Sequence, residues 1–280
     1  MNIYEAALLG AIQGLTEFLP ISSSGHLVLV QHWLGARREM LMFDIIVHWG
    51  TMMAMFAYFR REIFQLTAQS LLFLWKRPKQ GQARDTFFQE HPFALTGWLV
   101  LLSTLATGIV GLFCKDIFER LFESVLAVGI AWIVMALFLI ASGRIKNLER
   151  ERVLEQMNHQ DAFLIGLTQG IALIPGISRS GSTILMALWC GIEKRDAARY
   201  SFLMGMPAIL GVGLLESRRA LDFMDAQPGV AAVGFVISAV AGYFAIGLLM
   251  RILERGKYSL FGYYCLAAGI FAVVTQFIRP

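Results

Sequence analysis

Two apolar stretches of this chain break in the middle, and they break in the same way. In residues 1–34, the run Gln13-Gly-Leu-Thr-Glu-Phe-Leu-Pro-Ile-Ser-Ser-Ser-Gly-His26 sets an amide, a carboxylate, a proline, three serines, a glycine and a histidine between hydrophobic segments. In residues 161–192, Ile174-Pro-Gly-Ile-Ser-Arg-Ser-Gly-Ser-Thr183 does the same. Neither stretch is continuous enough for one membrane span. Each is long enough for two half-length helices joined by a loop, so each predicts a re-entrant hairpin. Polar groups at membrane depth must find water, a partner charge or a ligand, which makes both breaks candidate functional sites.

The breaks are copies of one another. With a shift of 156, Tyr4–Gly25 aligns without a gap on Gln160–Gly181, pairing Gly10 with Gly166, Gln13 with Gln169, Gly14 with Gly170, Ile21 with Ile177, Ser22 with Ser178, Ser24 with Ser180 and Gly25 with Gly181. Full spans are predicted at 42–59, 93–113, 123–142, 199–216, 230–250 and 259–278, each close to the ~20 residues a bilayer demands. The expected fold is all-α and polytopic, with about six transmembrane helices plus two re-entrant hairpins, in one membrane domain made of two repeats, about 1–142 and 157–280. A hairpin followed by three spans turns the second half over, so the repeats are inverted and their broken segments meet near the midplane, half-helix N-termini toward an anion. The short apolar run 63–75 reads either as an interfacial or as a partial helix.

Composition agrees with a membrane chain: 57% of residues are hydrophobic and 16% charged, against about a quarter in soluble domains. With the N-terminus outside, the inner segments hold 15 Lys/Arg and the outer ones 7, Arg179 and Arg199 set aside, which favours that orientation. The net charge of +4 therefore encodes topology, and no nucleic-acid partner is expected. The N-terminus lacks the basic region of a cleaved signal and is read as structure. Cys114, Cys190 and Cys265 are far apart in apolar surroundings and read as packing residues. The run Arg144–Arg152 reads as a solvated inner loop.

Gln13 and Glu17, at i and i+4, share one face of the half-helix that Pro20 ends. An intramembrane carboxylate costs about 2.5–3.5 kcal/mol to insert, so Glu17 either faces a cation or partner charge in a cavity or is solvated at an interface. Ser22, Ser23 and Ser24 stand where a new helix begins, and capping accounts for one of them. Three hydroxyls beside His26, with Gly25 allowing close approach and Glu17 nearby, have the parts for nucleophile, base and orienter. In the second copy Arg179 takes the place of Ser23, among Ser178, Ser180, Gly181, Ser182 and Thr183; a guanidinium in a Gly- and Ser-rich turn at a helix N-terminus reads as a phosphate cradle, the alternative being an arginine that snorkels to the interface. Asp44 and His48 form another i, i+4 pair, which either lines the same cavity or is satisfied internally.

At residues 13–26 and at Pro175-Gly-Ile-Ser-Arg-Ser-Gly181 the chain resembles the undecaprenyl-diphosphate phosphatases, also called bacitracin-resistance proteins. The resemblance covers essentially the whole length, and Phe43-Asp-Ile-Ile-Val-His-Trp-Gly-Thr51 and Phe202-Leu-Met-Gly-Met-Pro-Ala-Ile-Leu210 are similar to further family segments. It implies hydrolysis of a C55 isoprenoid diphosphate to the monophosphate, recycling the lipid carrier of envelope polymers. It also implies a multi-pass protein of the bacterial cytoplasmic membrane, a site opening to the outer face, and a divalent cation, Mg2+ or Ca2+. The family's Glu/Gln-x-x-x-Glu motif falls on Gln13 and Glu17, its serine-rich turn on Ser22–Ser24, its histidine on His26 and its arginine motif on Ser178 and Arg179. Many members carry glutamate where this chain has Gln13, so the cation falls to Glu17, with Gln13 beside it.

The resulting expectation is that Arg179 and the loop N–H groups hold the phosphates while Ser23, with Ser22 as the alternate, attacks. His26 serves as base and then acid; a water activated by His26 is the competing nucleophile. The partners are the isoprenoid diphosphate and membrane lipid, and homo-oligomerisation is left open. A transporter or flippase of isoprenoid lipid phosphates is the alternative function, since inverted repeats with broken helices suit alternating access. A phosphatidic-acid-phosphatase type is disfavoured because no histidine follows Arg179.

Overall fold

The computed structural model describes residues 1–35, 38–76, 82–143 and 152–278. The first half runs through α1 (Ile3–Phe18), α2 (Ser23–Trp33), α3 (Arg38–Tyr58), α4 (Arg60–Lys76), α5 (Gln82–Glu90), α6 (Pro92–Phe113), α7 (Lys115–Phe122) and α8 (Val125–Ser142). The second runs through α9 (His159–Ile171), α10 (Arg179–Trp189), α11 (Lys194–Leu215), α12 (Ser217–Ala226), α13 (Pro228–Glu254) and α14 (Leu260–Ile278). Among the described residues there is no strand, only an isolated bridge between Arg152 and Ile192.

Matched positions start and stop these helices. Asn2 caps α1 by accepting from Glu5 N at 2.8 Å, and its own N–H donates to Glu5 Oε2 at 2.8 Å. Asn158 and Asp161, 156 residues on, build the same reciprocal box at the head of α9, satisfying N–H groups that a helix start leaves open. Ser22 caps α2 and Ser178 caps α10, each accepting from the N–H three residues later. Both short helices end in tryptophan, Trp33 and Trp189, followed by a positive-φ glycine, Gly35 and Gly191. Helices α3 and α11 also begin 156 residues apart.

Among the described residues four helices, α6, α8, α11 and α13, are long and apolar enough to cross a membrane, and the apolar part of α14, Leu260–Gln276, is slightly shorter. The remaining predicted span, 42–59, is the upper part of α3. The undecided run 63–75 is helical: it lies in α4, which turns away from α3 by 81° at Phe59 and packs along α6 with no buried residue. Phe59 anchors the corner, its ring 5.8 Å from Phe202 on α11. Residues 144–151 of the predicted inner loop lie outside the described residues. Arg152 departs from that reading: it is ion-paired with Asp161 at 2.8 Å and donates to Cys190 O at 2.8 Å, tying the head of α9 to the end of α10.

Packing is exchanged between the halves. Helix α1 lies on α13, and α9 lies on α6; α8 pairs with α14, and α3 touches α11. Glycines make the crossings close. A Cβ on Gly10 would stand 2.8 Å from Gly234 O and one on Gly14 2.6 Å from Ser238 O, both on α13. Their counterparts meet α6: a Cβ on Gly166 would stand 2.5 Å from Ser103 O, and one on Gly170 would press on Val110. Such small-residue stripes let membrane helices pack backbone to backbone. The result fixes the two hairpins against each other, each clamped by the opposite half.

Candidate active site

Glu17, on the last turn of α1, is 8% exposed and collects four side chains. Gln13 Nε2 donates to Glu17 Oε2 at 2.9 Å and Ser23 Oγ donates to the same oxygen at 2.5 Å. The Arg179 guanidinium, from the other hairpin, forms an ion pair with Oε1. His48 Nε2, from α3, stands 3.8 Å from Oε2. The neighbouring Phe18 is fully buried, edge-on to Phe202 at 5.5 Å, and holds this end of α1 in the core. A carboxylate so far from water is tolerable only with a positive partner and saturated oxygens, and Arg179 with the two donors supplies both.

Four successive carbonyls present Ser23. Leu19 O accepts from Ser180 Oγ at 3.1 Å, Pro20 O from Cys265 Sγ at 3.5 Å, Ile21 O from Trp132 Nε1 at 2.8 Å and Ser22 O from His26 Nδ1 at 2.7 Å. The donors come from α10, α14, α8 and α2. Ser22 itself sits at φ 65°, the only described non-glycine residue with positive φ, a conformation that costs about 1–3 kcal/mol and persists where its surroundings over-determine it. Its hydroxyl accepts from Gly176 N at 3.2 Å, stitching the two loops together, and lies 3.3 Å from Ser24 Oγ.

The other predicted residues divide. Ser178 Oγ caps Gly181 N at 3.0 Å; Ser182 Oγ donates back to Ser178 O at 2.8 Å and Thr183 Oγ1 to Arg179 O at 2.7 Å. These hydroxyls are engaged with their own helix and its neighbours, Thr183 Oγ1 also meeting Ser201 Oγ of α11 at 2.6 Å and Ser178 Oγ reaching Leu19 O at 3.5 Å. Gly25 meets the Trp132 ring closely, so that a Cβ there would fall 2.8 Å from it. What α2 and α10 direct at Glu17 is their first turns, whose N–H groups lack intrahelical acceptors. Asp44 does not join the cluster: its carboxylate accepts from Gln31 Nε2 at 2.6 Å, while its backbone oxygen accepts from His48 Nδ1 at 2.7 Å. That second bond leaves His48 Nε2 facing Glu17.

His26 departs most from its predicted role. The geometry does not bring its ring to Ser23: Nδ1 bonds Ser22 O, and Nε2 lies 2.7 Å from Tyr264 OH. A ring three residues into α2 folds back on the carbonyl four residues before it, and α8 and α14 wall it in, with Trp132 edge-on at 4.9 Å and Tyr264 stacked at 5.7 Å. The Ser23 hydroxyl donates to Glu17 Oε2, while both His26 ring nitrogens are engaged elsewhere.

Two further observations bear on ligands. Arg179 Nη1, which packs against Gly205 on α11, and Gln13 Oε1 are buried without a hydrogen-bond partner in the protein, and a buried polar group left unpaired costs about 1–3 kcal/mol. Among the described residues no group of three or more His, Cys, Asp or Glu could hold a metal ion.

Residues 6–271 match the family model described as bacitracin resistance protein BacA. The chain belongs to this family. Curated relatives of this chain are named undecaprenyl-diphosphatase: one from Methanosphaera stadtmanae is 38% identical, covering 99% of each chain, and one from Halothermothrix orenii is 39% identical, covering 98% of each. A third, from Carboxydothermus hydrogenoformans, is 38% identical over 99% of this chain and 98% of its own. Of the segments singled out in the sequence, 13–26, 43–51 and 175–181 supply the cluster of Gln13, Glu17, Ser23, His48 and Arg179, but the donors from α8 and α14, Trp132, Tyr264 and Cys265, carried no sequence signal. They lie more than 100 residues from the turn they hold, and an aromatic or cysteine in a span reads as packing.

Proposed function

We propose that the protein hydrolyses undecaprenyl diphosphate to undecaprenyl phosphate and inorganic phosphate, as an integral membrane enzyme of the bacterial cytoplasmic membrane with its site open to the outer face. The observation that carries this reading is the 2.5 Å contact between Ser23 Oγ and Glu17 Oε2 beside the Arg179 guanidinium. A hydroxyl, a base and a fixed positive charge in one buried cluster are what transfer of a phosphoryl group requires. Membership of the BacA family, whose relatives carry the corresponding name, supports the substrate.

In this reading Ser23 Oγ attacks the terminal phosphorus and its proton passes to Glu17. Arg179, with its unpartnered Nη1, and the first-turn N–H groups of α2 and α10 hold the equatorial oxygens as charge develops. The P–O bond to the lipid monophosphate breaks, and water then releases phosphate from the serine. A divalent cation fits as a companion of the substrate, not as a resident of a protein cage: Glu17 and the spare Gln13 Oε1 would hold it, the diphosphate supplying further oxygens. When bound, the cation would neutralise phosphate charge.

The alternative transport reading is favoured by the exchanged packing of the two halves, but a transporter has no use for a serine hydrogen-bonded to a carboxylate. Purified protein in detergent, given undecaprenyl or farnesyl diphosphate with Mg2+, with Ca2+ and with chelator, is expected to release inorganic phosphate and to show cation dependence. Acid quench should trap phosphate on Ser23. No release under any condition would leave transport as the better account. Release without a trapped phosphoserine, and undiminished in Ser23→Ala, would transfer the attack to water.

A further inference from the structure

His26 is held by a hydroxyl from the far end of the chain, and that bond has a direction. The Ser22 carbonyl can only accept, so Nδ1 carries the imidazole proton; Nε2 of the neutral ring is then the acceptor of the Tyr264 O–H at 2.7 Å. Tyr264 lies nearly parallel to the imidazole, with 14° between ring planes, and Trp132 stands edge-on to it at 4.9 Å. The ring therefore has one orientation, and in that orientation it fixes the carbonyl of Ser22, the residue with positive φ immediately before Ser23. Tyr264 belongs to α14, whose next residue, Cys265, bonds Pro20 O. One end of α14 thus reaches the turn twice, through His26 and directly, while the polar partners of Glu17 are Gln13, Ser23, His48 and Arg179 and do not include Tyr264.

We propose that Tyr264 is a positioning residue for the reaction, acting through His26 on the turn that presents Ser23 to Glu17. The role assigned to His26 changes accordingly: it anchors the nucleophile's backbone instead of taking its proton. The inference rests on the phosphatase reading above.

Tyr264→Phe keeps the stacked ring and deletes the hydroxyl. The expected result, in the full chain in detergent, is phosphate release slowed about tenfold in kcat, the rate equivalent of one lost hydrogen bond, with KM for farnesyl diphosphate within about twofold. Tyr263→Phe is the control: Tyr263 is exposed like Tyr264, at 58% against 47%, but it is Tyr264 whose hydroxyl bonds His26, and the control substitution should leave both constants unchanged. His26→Gln and the His26→Gln/Tyr264→Phe double variant complete a cycle in which the tyrosine change should add less than about twofold once His26 is gone. A Phe variant with wild-type kcat overturns the proposal, as does one whose loss lies wholly in KM or multiplies fully with that of His26→Gln. A variant that no longer folds also overturns it, because positioning predicts a folded, slow enzyme. A wild-type protein that releases no phosphate at all would instead overturn the phosphatase reading.

Discussion

Placed in register, hairpin α1–α2 and hairpin α9–α10 have the same N-cap residues and the same terminal tryptophans on second helices of 11 residues each, yet differ at most of the positions that chemistry uses. Glu17 is matched by Leu173, Ser23 by Arg179 and His26 by Ser182; on the following helices His48 is matched by Met204. Gln13 and Gln169 are identical, but Gln13 Nε2 donates to Glu17, whereas Gln169 Nε2 donates to Thr107 at 3.0 Å. One copy has become acidic and nucleophilic and the other cationic. The shared backbone supplies two opposed helix N-termini, and the divergence of a few side chains fills the space between them with a base, a hydroxyl and a guanidinium.

The comparison breaks most severely at the ion pair that joins the copies. Glu17→Gln is expected to lower phosphate release by about 10³-fold or more, because it removes the acceptor of the Ser23 proton as well as the partner of Arg179. It should also destabilise the fold by about 3–5 kcal/mol, the usual penalty for leaving a buried charge alone. Adding Arg179→Gln to that variant should restore much of the thermal midpoint and none of the activity. Recovery of activity in the double variant would mean that the pair is structural. Ser23→Ala against Ser180→Ala sharpens the same contrast: at least about a hundredfold loss for Ser23, and less than about tenfold for Ser180, whose hydroxyl bonds Leu19 O and stands 3.3 Å from Ser178 Oγ. Equal losses would mean that both hydroxyls reach the phosphates.

Those features were visible in the sequence for a physical reason. Polar residues interrupting an apolar run have no structural excuse, and a register of 156 kept through Gln-Gly and Ile-Ser-x-Ser-Gly is hard to obtain otherwise. The six predicted spans each fall on a helix for the same reason, since hydropathy over ~20 residues is a strong signal. The corner at Phe59 was not legible, because an apolar run of 13 residues after two arginines fits a bent helix as well as a separate one. The direction of His26 was also hidden: it depends on Tyr264, 238 residues away. Asp44 and His48 looked like one pair at helical spacing, yet the structure turns the carboxylate to Gln31 and the imidazole to Glu17. Spacing places residues on a face and leaves the partner open.

If the halves are clamped reciprocally, Gly10→Ala and Gly166→Ala should behave as a matched pair. Each added methyl meets backbone on the opposite half, Gly234 O at 2.8 Å for the first and Ser103 O at 2.5 Å for the second. Forced separation of well-packed elements costs about 1–3 kcal/mol, read as similar falls in thermal midpoint in detergent. A large fall for one and none for the other would show that a single crossing bears the fold and that the exchange of helices is not functionally symmetrical.

The smallest effect is expected where the second copy holds Ser182 in place of His26. The Ser182 hydroxyl donates to Ser178 O at 2.8 Å and to Arg179 O at 3.2 Å, so it back-bonds to its own helix, and the sequence alone had placed it among the phosphate ligands. Ser182→Ala should change stability by no more than about 1 kcal/mol, because the two carbonyls lie in the first turn of a helix and keep their backbone acceptors' roles. Phosphate release should stay within about threefold of wild type, in contrast to His26→Gln on the matched position, where the turn before Ser23 loses its anchor. A loss above about tenfold for Ser182→Ala would mean that the hydroxyl rotates to the substrate on binding. The second hairpin would then contribute a side-chain hydroxyl as well as its arginine, and the division of labour between the copies would be less complete than the back-bonded Ser182 indicates.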